Sequence, residues 1–169
     1  MRSFILLFIL LATHAWAEWS PWGNIPVMTD KVYIENCTEC HFGYQAGLLN
    51  APTWEKMLQV EELENHFGTD ASIDEADRIH LIEFLKSNSA ETLWNKKSRK
   101  IASSMGDKVI LRISEVPYIK KKHEDVKESL FTQEKVKSRA HCNRCHEGAA
   151  KGLFEEDDVL IPNHGRWQD

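Results

Sequence analysis

Cys37-Thr38-Glu39-Cys40-His41 and Cys142-Asn143-Arg144-Cys145-His146 repeat one pattern, C-x-x-C-H, near opposite ends of the chain. Two thiols three positions apart on a helical turn can form thioethers to the two vinyl groups of a single porphyrin. The histidine that follows then lies beneath the iron and supplies the proximal imidazole. All four cysteines of the sequence belong to these two motifs. A pair of C-x-x-C steps also suits zinc, yet the histidine directly after each pair argues for porphyrin. The expected cofactors are therefore two covalently attached haem c groups, one on Cys37 and Cys40 and one on Cys142 and Cys145. His41 and His146 are the proximal ligands.

A sixth position on each iron decides the chemistry. Filled by His or Met, it gives an electron-transfer site; open, it binds small ligands or does oxygen chemistry. Outside the motifs and the leader the imidazole candidates are His66, His80, His123, His141 and His164, and the thioether candidates Met28, Met57 and Met105. His66 follows Leu63 by three residues, on the inward face of a helix that Gly68 would end. His123 follows three lysines and could reach the second haem. His80, between Ala76 and Phe84, competes for the first. His141 precedes its own motif and could approach only the other haem. The methionines read as core filler, Met105 as a turn residue. Chain closure does not choose among these. Joining His41 to His66 closes 25 residues and to His123 closes 82, a difference of only about 1 kcal/mol.

The elements that must hold these side chains read as all-α with long loops. A short helix over 30–41 delivers the first motif, with Val32, Tyr33 and Ile34 apolar. Pro52 stands at the N1 position of a helix running to Phe67, which turns Trp54, Met57, Leu58 and Leu63 inward. Ser72 to Glu75 reads as a capping box opening a helix to Ser87, with Ile73, Ala76, Ile79, Ile82 and Leu85 as its apolar positions. Residues 91–104 form a polar, basic helix or linker, and Met105-Gly106-Asp107 a turn. Residues 109–113 read as a brief extended run. Pro117 starts a helix carrying His123, and Thr132 caps a last helix running into Cys142 and His146. The tail shows no clear pattern.

Residues 1–17 have the form of an export signal, with Arg2, an apolar run from Phe4 to Ala12, and Ala15-Trp16-Ala17 before the cut. Cleavage after Ala17 would leave a mature chain in the periplasm, with an extended arm over 18–26. Two haem-binding lobes are expected, 18–104 and 105–169. The 169 residues carry 21 basic and 26 acidic side chains, a net charge of −5. Losing Arg2 makes the mature chain more acidic, which argues against nucleic acid as a partner. Outside the cytoplasm four cysteines would ordinarily pair as disulfides, but C-x-x-C-H twice is a poor disulfide framework.

In order, Cys37–His41, Trp54, His66-Phe67-Gly68, Arg112-Ile113-Ser114, Pro117, His123, Cys142–His146, Gly152 and Ile161-Pro162 resemble the bacterial dihaem cytochrome c family over residues 31–162. One departure is Tyr118, where the family pattern leads one to expect tryptophan. The resemblance implies a small cytochrome c organised by its cofactors, with bis-histidine haems: His41 with His66 on the first iron, His146 with His123 on the second. His80 and His141 fall outside that pattern and stand in reserve. It also implies a periplasmic carrier of single electrons rather than an enzyme. Its partners would be redox proteins, such as a membrane-bound cytochrome donor and a small oxygen-binding cytochrome c acceptor. The alternative is a dihaem enzyme, peroxidase-like or oxygen-reducing, with one open iron. The basic runs 96–100 and 120–122 and the acidic run 155–158 could steer partners.

Overall fold

The computed structural model describes residues 23–168; the leader, its cleavage site and Trp19 lie outside them. The chain is mostly helical, as expected, with seven α-helices and one two-stranded sheet among the described residues. Helix α1, Lys31–Cys37, begins where the Asp30 carboxylate accepts the Tyr33 N–H at 2.9 Å. It ends on the first cysteine, so Cys40 and His41 lie beyond it rather than on its last turn. Tyr33 is buried, and its hydroxyl donates to the Tyr44 carbonyl at 2.6 Å. That bond fixes the loop that carries His41.

The long helix expected from Pro52 to Phe67 is two helices. Helix α2 spans Ala51–Met57 and α3 spans Val60–Glu64. Asn50 caps α2, accepting the Thr53 N–H, and Pro52 is its second residue, not its first. The break at Leu58 and Gln59 lets Trp54, Leu58 and Leu63 all reach the core. Gly68 ends no helix. It sits at φ +97° in a tight turn, where the Thr69 N–H donates to the His66 carbonyl.

Helix α4, Glu75–Ser87, starts after Asp74, with no side-chain cap, so the Ser72 capping box does not form. Its buried positions are Leu81 and Leu85, while Ala76 and Ile79 are exposed. α4 packs on α1 and α2. Helix α5, Lys96–Met105, is capped by Asn95 and closed by Gly106. Helix α6, Pro117–Lys122, delivers His123 as its C-terminal cap, as the sequence suggested. One apolar core joins Leu49, Leu81, Leu85, Ile101, Met105 and Val116.

Thr132 is the last residue of α7, Glu128–Thr132, and no long helix enters the second motif. Cys142–Arg144 forms a single 3-10 turn instead. The tail is folded: β1, Leu160–Ile161, pairs antiparallel with β2, Gly165–Arg166. This hairpin braces the second motif, since the Leu160 N–H donates to the Cys145 carbonyl at 3.0 Å and His146 bridges to Val159.

Candidate functional site

The structure brings the motif histidines against the two distal candidates. The rings of His41 and His66 have centres 6.2 Å apart with planes inclined at 28°, and those of His123 and His146 are 6.1 Å apart at 78°. Two metal–nitrogen bonds of about 2.0–2.1 Å, plus about 1.1 Å from each nitrogen to its ring centre, add up to roughly 6.2–6.4 Å. The residues therefore fit one metal ion between each pair.

The tautomers fit as well. His41 Nδ1 lies 2.7 Å from the Phe42 carbonyl and His123 Nδ1 lies 2.8 Å from the Ile119 carbonyl. A carbonyl accepts only, so each Nδ1 carries the proton and each Nε2 keeps its lone pair for a metal. Burial, and then the neighbouring His41, hold the His66 imidazole below its ordinary range. Burial, and then His123 and Lys97, push His146 down to about 4. His66 and His146 are thereby poised to be neutral ligands at neutral pH.

Aromatic side chains flank both pairs. Tyr44 lies 5.0 Å from the His41 ring, and Phe67 lies 4.8 Å from the His66 ring in an edge-on contact. The Arg112 guanidinium stacks 4.3 Å over Phe67, so two segments distant in sequence close on the first pair. A cavity of about 300 Å³ lined by Met57 and Leu111 adjoins His66. Phe131 and Phe154 flank His123 and His146 at 6.1 and 5.5 Å. Among the described residues no disulfide joins the four cysteines, and burial pushes the thiols of Cys37 and Cys142 up to about 11.

The reserve histidines are engaged elsewhere. His80 is exposed, with Nε2 2.8 Å from the Asp30 carboxylate, and His141 Nδ1 lies 3.0 Å from the Ser138 hydroxyl. His164 is exposed beside Trp167. Met28 accepts the Ala46 N–H through sulfur, and Met105 is buried in the core. Among the described residues no three His, Cys, Asp or Glu side chains converge as a metal cage.

Comparison with known proteins agrees with this geometry. The sequence profile of the family described as Dihaem cytochrome c matches residues 33–154, more than half the chain. The solved diheme cytochrome c from Rhodobacter sphaeroides is 38% identical; the match covers 76% of this chain and 99% of that one, with a TM-score of 0.66. The diheme cytochrome from Shewanella baltica OS155 is 31% identical over 84% of this chain and 100% of that one, with a TM-score of 0.67. No curated protein matches. A duplicated haem-binding pattern, two imidazole pairs each spaced for a metal, and relatives aligned along nearly their whole length lead to one result: the chain belongs to the dihaem cytochrome c family, which implies two haem groups.

Proposed function

We propose that this protein is a periplasmic c-type cytochrome that passes single electrons between redox partners. Cys37 and Cys40 hold one haem through thioethers, and Cys142 and Cys145 hold the other. His41 and His66 ligate the first iron, His146 and His123 the second. The observation that carries the reading is the separation of the ring centres, 6.2 and 6.1 Å, which leaves room for one metal ion in each pair.

When bound, each haem supplies a reversible one-electron iron couple. The chain's own residues set the conditions for it. The Phe42 and Ile119 carbonyls hold the Nδ1 protons of His41 and His123 and so aim each Nε2. Cys37 and Cys142, whose thiols burial keeps protonated, would each hold a porphyrin edge as a thioether. Phe131 and Phe154 shield the rings of His123 and His146 from water. With an imidazole on each side of the haem, neither site would keep a position for substrate, which favours a carrier over an enzyme. Imidazole in place of thioether also sets potentials below those of a His/Met cytochrome. A membrane-bound cytochrome as donor and a small oxygen-binding cytochrome c as acceptor suit such a carrier.

Low-temperature EPR of the oxidised protein, with CO added after reduction, tests this. Two low-spin signals and no CO-induced shift are expected. A high-spin haem that takes up CO would replace the carrier with a dihaem enzyme holding one open iron.

A further inference from the structure

Helix α5 places Lys96, Arg99 and Lys100 on one face, at helical spacings of three and four. Among the described residues none of the three has an acidic partner. Neighbouring cations do: Lys97 pairs with Glu155, Lys120 with Glu115 and Lys121 with Glu124. In a chain of net charge −5 such a cluster is a local inversion of sign. The three cations line a groove of about 550 Å³ between α5 and Tyr118 of α6. Trp94 stands on its lip, 86% exposed, and the Lys100 ammonium lies 5.6 Å from the Tyr118 ring centre. Trp, Tyr and Arg are the side chains that most often dominate protein interfaces.

We infer that this groove docks an acidic protein partner and passes electrons between that partner and the second haem site; the inference rests on the carrier reading above. Unpaired cations select an anionic surface, and the exposed indole supplies the apolar area that a free anion would not cover. A concave groove takes a protruding loop, whereas a flat bilayer would span it. The groove also leads inward. Tyr118 on its wall is followed by Ile119, whose carbonyl accepts the Nδ1 proton of His123. Two linked residues and one hydrogen bond thus join the docking wall to a ligand of the second haem.

The test uses the holoprotein with both haems oxidised and a reduced plant-type [2Fe–2S] ferredoxin, an acidic one-electron donor, mixed by stopped flow. One electron leaves the cluster, which is oxidised, and one ferric haem becomes ferrous; no bond is made or broken. The wild-type rate should fall with added salt, as attraction between opposite charges requires. The K96E/R99E/K100E variant should react at least tenfold more slowly at low salt and lose most of that salt dependence. Trp94→Ala should slow the reaction at least threefold. K127E/K135E/K151E makes the same change in net charge outside the groove and should stay within twofold of wild type. Reduced lumiflavin, too small to need docking, should reduce all four proteins at equal rates. Equal slowing by the two triple variants would reduce the effect to net charge and overturn the inference. So would a K96E/R99E/K100E variant that keeps its ferredoxin rate but no longer sediments with phosphatidylserine vesicles. If lumiflavin itself fails to reduce the wild-type haems, the carrier reading falls instead.

Discussion

For each imidazole, one ring nitrogen settles what the other can do. In His41 and His123 the Nδ1 proton is committed to a carbonyl of a nearby residue, so ligation by Nε2 needs no rearrangement. Removing the facing ring should therefore vacate one coordination position and leave the other intact. His66→Ala and His123→Ala are each expected to turn one of the two haems high-spin and CO-binding, counted by EPR and by the fraction of haem that shifts with CO. An unchanged spectrum in either variant would transfer the role to His80 or His141. The two pairs also differ in their twist. With an iron held in each pair, imidazoles inclined at 28° would donate into nearly the same d orbital and split it from its partner, whereas at 78° they would donate almost equally into both and leave them close in energy. The oxidised protein should accordingly give two distinguishable low-spin spectra, an ordinary rhombic one from the first haem and a broad one with a larger maximum g from the second. Two superimposable rhombic spectra would contradict the 78° arrangement.

At the scale of an element, α1 depends on Asp30, which caps its N-terminus and also holds His80 of α4 at 2.8 Å. Partial burial raises the Asp30 carboxyl, but the Tyr33 N–H and His80 outweigh it and hold the group below its ordinary 3.8. A carboxyl lowered by folding contributes stability above that value and loses it as pH falls through the folded pKa. Asp30→Ala should cost about 1 kcal/mol at pH 7. The gap between variant and wild type should close as pH falls below 3.8, followed by thermal unfolding across that range. Elements of this kind were only partly legible beforehand. The helix after Pro117 and the capacity of Trp54, Leu58 and Leu63 to face inward follow from local pattern, and the structure keeps them. The break at Leu58 and Gln59 does not, because nothing in those residues forbids a helix; the core is better filled by two short helices than by one. Leu81 is buried in place of Ile79 because α4 turns toward α1 and α2, a tertiary choice invisible to periodicity. Thr132 and Ser72 have the residue type of a cap but not the geometry. The hairpin at 160–166 left no signal at all, since its strands are two residues long and its partner is the second motif. The pairing of His41 with His66 and of His146 with His123 stood out for another reason: side-chain chemistry narrows the candidates where local structure does not.

Across the whole molecule, the loop after the first motif is tied to both flanks of the second, 96 to 104 residues away. The Tyr44 hydroxyl donates to the Ala140 carbonyl and the buried Gln45 amide donates to the Ala149 carbonyl at 2.7 Å. Losing the first bond in Tyr44→Phe should lower the unfolding free energy by about 1 kcal/mol, measured by denaturant titration of the holoprotein. A third tie lies alongside, where the Ile25 N–H donates to the Gly152 carbonyl at 3.1 Å. Gly152 adopts φ +71°, and a Cβ there would stand 1.8 Å from the Ile25 carbonyl oxygen. No side chain can give way in that contact, because the obstacle is backbone. Gly152→Ala must therefore push residue 25 outward, breaking the bond and drawing a side chain that is 1% exposed out of the core. Left-handed strain and the lost bond cost about 1 kcal/mol each, and unburying isoleucine adds roughly 1.5–3. Gly165 has φ +100° but nothing within 4 Å of its missing Cβ, so Gly165→Ala isolates the strain alone. Thermal unfolding followed at the haem absorption band should place Gly152→Ala about 3.5–5 kcal/mol below wild type and Gly165→Ala only about 1 below. Equal losses in the two variants would mean that the N-terminal arm yields freely, and that the second motif is held by its own hairpin rather than by the clasp at residue 25.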